Sequence, residues 1–121
     1  MRITINNVSD PVAPHAVRDE AKLANLVEAF EAGEAVSPVV VLRLGDDDSY
    51  PRAITGSHRI AAANKAGVDV PTICIQATNA WERGVLSWVL STGNFEDKVS
   101  LVRRMATRRG WRKTIAALED Q

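Results

Sequence analysis

Four consecutive apolar residues, Val39, Val40, Val41 and Leu42, follow Pro38 and stand a few residues ahead of the polar stretch Gly45 to Ser49. Three of the four are β-branched and nothing polar interrupts them, the pattern of a strand covered on both faces. Such a strand belongs in the middle of a sheet, with helices to supply the cover. This run, more than any other feature, limits what the chain can become.

The surrounding sequence offers the other parts. Arg2 to Val8 alternates as a short first strand, with Pro11 and Pro14 as breakers after it. From Asp19, the residues Leu23, Leu26, Val27 and Phe30 recur at helical spacing up to Gly33. Beyond the central run, Asp46, Asp47 and Asp48 lie in a polar turn. They lack the glycine and glutamate spacing of a calcium loop and are read as a solvated hairpin. Tyr50 to Thr55 is expected to return as a strand placed near an edge by Pro51. An alanine-rich helix closed by Gly67 follows, then a strand over Val70 to Ile75.

Asn79 with Glu82 is an approximate capping box for a helix on which Trp81, Val85, Trp88 and Val89 share a face. Asn94 caps the next helix, with Phe95, Val99, Val102 and Ala106 as its stripe and Gly110 at its end. Trp111 to Leu118 reads as one more short helix. The expected fold is α+β, a mixed sheet with flanking helices over residues 1–78. A helical segment over 79–121 packs on that core within a single domain.

A chain of 121 residues, 45% of them hydrophobic, suffices for one core. Its apolar runs are far shorter than the roughly 20 residues of a spanning helix, and no export signal opens it, so a soluble, cytoplasmic protein with no membrane partner is expected. One cysteine, Cys74, and two histidines exclude an internal disulfide and any standard structural zinc set, and no metal ligands are assigned. Net charge is zero overall but uneven. Residues 1–80 carry −3 and residues 81–121 carry +3, and Lys98 to Lys113 contain no acidic residue. A face of that kind attracts nucleic acid or an acidic partner, or is simply solvated.

The richest chemistry lies in Thr55-Gly56-Ser57-His58-Arg59, where a strand runs through glycine into a helix start. Helix N-termini offer unpaired N–H groups to anions, and positive side chains there oppose the dipole by a few tenths of a kcal/mol to about 1 kcal/mol. A bound phosphate would reverse that sign. Arg59 would fork onto its oxygens, His58 donate a ring N–H, Ser57 and Thr55 add hydroxyls, and Gly56 let the backbone approach. The alternative makes Ser57 a helix cap and leaves His58 and Arg59 to solvent or a carboxylate. Neither a Walker A loop nor a three-glycine dinucleotide fingerprint is present.

In order and spacing, the first strand, the helix ending near Gly33, Ser37-Pro38-Val39-Val40-Val41, Ile54 to Ala62, and Gly67 before Val70-Pro71 resemble the ParB/sulfiredoxin-like fold. The resemblance covers about residues 2–75. It implies that Gly56 to Arg59 bind the phosphates of ATP or CTP with Mg2+. Sulfiredoxins carry a cysteine where Ser57 stands, and serine cannot form their sulfur-linked intermediates, so that repair chemistry is not expected. Partition proteins show Glu-Arg-Arg where Ser57, His58 and Arg59 stand, and a later Glu-Asn-x-x-Arg that Leu90 to Asn94 do not match.

Three readings follow. The first is a nucleoside triphosphate binder, with hydrolysis and DNA association as extensions of it. The second is a phosphotransferase resembling free-serine kinases, with Glu34 as base and His58 as a second catalytic group. The third is a non-specific DNA-binding or nuclease accessory using Arg103, Arg104, Arg108, Arg109, Arg112 and Lys113 on backbone phosphate. Asp97 to Leu118 look like the first two helices of a helix-turn-helix. With the chain ending at Gln121, no base-reading helix is expected to follow. A homodimer through the C-terminal half is compatible with each reading, as is a plasmid, phage or host setting.

Overall fold

The computed structural model describes residues 1–8, 11–45 and 51–119. Among them the chain runs β1 (Arg2–Val8), α1 (Glu20–Glu31), β2 (Val39–Arg43), β3 (Arg52–Ala53), α2 (Ser57–Ala66) and β4 (Val70–Gln76). Three helices follow, α3 (Ala80–Ser91), α4 (Phe95–Arg109) and α5 (Arg112–Glu119). The strands form one mixed sheet in the order β1-β4-β2-β3. β4 is antiparallel to β1 and parallel to β2, and β2 is antiparallel to β3. The α+β expectation holds, and the acidic triplet at 46–48 lies outside the described residues.

β2 is interior, and all four residues of the apolar run have no exposed surface. Alternation along the strand divides them between two cores. Val39 and Val41 pack with Ala53, Ile60, Ala63, Val70 and Cys74 on the side of α1 and α2. Val40 and Leu42 pack with Ile73, Ile75, Leu86, Val89, Val99, Val102 and Leu118 on the side of α3, α4 and α5. Helices thus cover both faces, as an unbroken apolar strand demands.

Of the strand expected over Tyr50 to Thr55, Tyr50 lies outside the described residues, and β3 stops at Ala53, short of Thr55. Beyond Ala53 the Ile54 N–H still reaches the Val40 carbonyl at 2.9 Å, but the Val40 N–H is taken by the Thr55 side-chain oxygen at 3.2 Å. A side chain therefore ends the ladder, and the backbone is free to turn. The far side of β3 is joined by Val12, whose N–H meets the Pro51 carbonyl and whose carbonyl accepts from Ala53.

α3 corrects the expected apolar face. Its buried residues are Leu86 and Val89, while Trp81 and Trp88 are 79% and 58% exposed. Positions 82, 86 and 89 form the stripe one residue round the helix from 81, 85 and 88, and that stripe reaches the core. The capping box is half formed. Asn79 Oδ1 accepts the Glu82 N–H, but the Glu82 carboxylate goes to Thr78 and the Met1 ammonium. Asn94 caps α4 through the Asp97 N–H, and Gly110 closes it with positive φ, both as expected.

Candidate functional site

Gly56 sets the local geometry. Its φ of +83° is in the left-handed region, and a Cβ placed there would stand 2.2 Å from Val39 Cγ1. The turn between β3 and α2 therefore requires glycine, both for its backbone and for its closeness to the buried β2. Gly56 is also the N-cap of α2 and makes no side-chain cap bond, and the first turn of α2 holds no acidic residue. The positive end of the α2 dipole is thus unanswered by any carboxylate of its own. Ser57 is the first residue of the helix and not its cap, which settles the capping alternative against serine.

A loop from the N-terminal half lies across this helix start. The His15 N–H donates to Ser57 Oγ at 3.1 Å, and the N–H groups of Arg18 and Asp19 donate to His58 Nε2 at 3.1 and 3.0 Å. Asp19 in turn caps α1 by accepting the Lys22 N–H. His58 therefore ties the N-terminus of α2 to that of α1. Phe95, the first residue of α4, closes the third side, its ring 5.2 Å from the edge-on ring of His15. Three helices begin around one cleft of about 200 Å³, lined by His15, Arg18, Lys22, Gly56, Ser57, His58, Arg59 and Phe95.

Every ionisable side chain in that lining is basic. Two backbone N–H groups pointing at His58 Nε2 require it unprotonated, so the ring proton sits on Nδ1. Consistently, His58 is held below its ordinary value, first by burial, then by the charges of Lys22 and His15, with Arg18 adding to them and Asp19 opposing. His15 Nδ1–H donates to the Ala16 carbonyl at 2.8 Å.

The residues expected from sequence divide into three groups. Gly56, Ser57, His58 and Arg59 do line the cleft together. Arg59 is nevertheless 4% exposed, and its Nη1 donates to the carbonyls of Ser37 and Pro38 at 2.9 and 2.7 Å, binding α2 to the entry of β2. Thr55 is fully buried, its hydroxyl spent on Val40, and Glu34 is exposed beyond the end of α1; neither lines the cleft. The basic residues of the C-terminal half lie elsewhere, on α4 and α5.

Sequence reasoning missed Arg18, Lys22 and His15, and one signal could have found two of them. Arg18 and Lys22 bracket the start of α1, where the dipole disfavours cations, the same anomaly that His58 and Arg59 present at α2. Among the described residues no cluster of three metal-ligating side chains exists. The cleft lining therefore offers no carboxylate cage for Mg2+.

The ParB N-terminal domain pattern matches residues 1–86, from β1 into α3. The chain belongs to the ParB N-terminal domain family. The four strands, α1 and α2 lie within the matched span, as does the cleft apart from Phe95. Among solved structures the chain is similar to the C-terminally truncated chromosome-partitioning protein ParB from Caulobacter crescentus, complexed with CTP-gamma-S. Identity is 15%, with a TM-score of 0.49 over 98% of this chain and 71% of that one. No curated protein matches it. Among the described residues no helix is long and apolar enough to cross a membrane.

Proposed function

We propose that the cleft binds the phosphates of a nucleoside triphosphate. The observation that carries this reading is the convergence of the α1 and α2 N-termini, tied through His58, on a pocket whose ionisable lining residues are all basic. The unanswered first turn of α2 supplies amide donors and dipole, and Arg18 and Lys22 supply charge. Family membership supports the same reading, since the resemblance of Gly56 to Arg59 implies a phosphate site there. ATP and CTP are the nucleotides to try first, with Mg2+ accompanying the phosphates.

This is a binding site before it is a catalytic one. The lining offers no carboxylate as base, Glu34 stands outside it, and His58 Nε2 already accepts two amides. The geometry therefore supports binding over phosphoryl transfer to a small acceptor.

Calorimetric titration of ATP, CTP, GTP and UTP with Mg2+ into the wild type, Arg18→Ala and Lys22→Ala tests the reading. Saturable binding that each substitution weakens about tenfold or more is expected, the worth of one charge-assisted contact. Absence of heat with all four nucleotides, or variants that bind as the wild type does, would overturn it.

A further inference from the structure

The basic residues of α4 do not form one face. Arg103 turns to α5 and pairs with Glu119 at 2.7 Å. Arg104 and Arg108, one helical turn apart, together with Arg109, instead line a groove of about 330 Å³ between α4 and α3. Trp81 and Val85 form its α3 wall. Its single carboxylate lining residue, Glu82, is paired with the Met1 ammonium and Thr78, which hold it ionised with a pKa lowered to about 2, so its charge is answered by the N-terminus and not by the guanidinium groups.

The same wall continues outward. Trp81 and Val85 also border a second, shallower apolar depression with Ala80, Gly84 and Trp88. The two indoles are the most exposed aromatic rings of α3, and Gly84 between them leaves the surface open, since a Cβ there would meet nothing within 4 Å. A separation of seven residues places the two platforms roughly 10 Å apart along the axis. Neither indole reaches the core, and among the described residues Arg104, Arg108 and Arg109 form no ion pair, Arg109 lying 5.4 Å over the Trp111 ring.

We propose that this α3–α4 groove binds single-stranded nucleic acid, with bases stacked on Trp81 and Trp88 and phosphates held by Arg104, Arg108 and Arg109. The argument is one of complementarity. A single strand alone presents repeated flat faces together with repeated anions, whereas a duplex hides its base faces and an acidic peptide offers charge without stacked rings. Arginine suits the site because its planar fork grips phosphate and also stacks. The groove shares no residue with the cleft at α2, so it stands or falls independently of nucleotide binding there.

Fluorescence anisotropy of a labelled oligothymidylate titrated with the full chain, at two salt concentrations, provides the test. A duplex of equal length and unlabelled polyglutamate serve as comparators. Trp81→Ala and Trp88→Ala should each weaken single-strand binding roughly 5- to 150-fold. Trp81→Phe should keep most of it, and Arg104→Ala with Arg108→Ala should flatten the salt slope by about 1.4. Lys65→Ala, which removes an exposed cation that lines neither the groove nor the cleft, should leave oligonucleotide affinity unchanged. Equal affinity for duplex and single strand with tryptophan variants that bind normally would overturn the proposal. Displacement by polyglutamate as effective as by unlabelled oligonucleotide would overturn it too.

Discussion

Replacing Gly56 with alanine should damage this protein more than replacing any other glycine that the structure places at a helix end with open space around it. An L-residue at φ +83° costs roughly 1–2 kcal/mol for its left-handed backbone. The added Cβ would also stand 2.2 Å from Val39 Cγ1, and Val39 cannot retreat because it is fully buried in the core that β2 forms with α2. Overpacking a tight core of this kind costs about 1–3 kcal/mol. The two effects together take roughly 2–5 kcal/mol from a total that for such domains is about 5–15 kcal/mol. Gly67→Ala is the matched control. Its φ is +71°, but a Cβ there meets nothing within 4 Å, so only the backbone cost of roughly 1–2 kcal/mol applies. Gly84→Ala lies inside α3 with open surroundings and should stabilise by about 1 kcal/mol. Urea unfolding of the three variants gives the answer from midpoints at unchanged slope. If Gly56→Ala and Gly67→Ala unfold at the same midpoint, the closeness of Gly56 to β2 has no energetic weight and the account of the turn fails.

Two further expectations concern the same corner. Arg59→Ala removes two charge-assisted bonds to the Ser37 and Pro38 carbonyls and empties a buried site, a loss of roughly 2–4 kcal/mol visible in thermal unfolding; Arg59→Lys should recover part of it. A variant that loses nucleotide affinity without losing stability would refute the structural role. His58 should titrate below 6.5 by NMR in the free protein. Because the folded value lies below the unfolded one, the contribution of His58 to stability is complete above about pH 6.5 and is lost as pH falls below it. A bound triphosphate should raise the His58 value by opposing the charges of Lys22, His15 and Arg18, and an unmoved resonance on saturation would argue against phosphate in the cleft.

The local features of this chain were legible because they are local in cause. An unbroken β-branched run is a two-sided strand, Asn94 with Asp97 in its first turn is a helix start, and Gly67 and Gly110 are helix ends. Each follows from backbone sterics or hydrogen-bond supply within a few residues. The Gly56 to Arg59 turn was found in the same way, from a conflict between side-chain charge and helix dipole. The inner ladder of β3 was less legible, since a Thr55 hydroxyl replaces a backbone partner only once β2 is beside it.

What the sequence determined by itself, then, was the set of elements, the central place of Val39–Leu42 and the glycine turn that opens α2. Tertiary structure alone decided which stripe of α3 enters the core and leaves Trp81 and Trp88 outside. It also turned Arg59 inward onto two carbonyls and brought Arg18 and Lys22 across some forty residues of chain to His58. The physical reason is that a helix or turn is selected by neighbours in sequence, whereas burial, pairing and shared electrostatic field depend on which elements the sheet order places side by side.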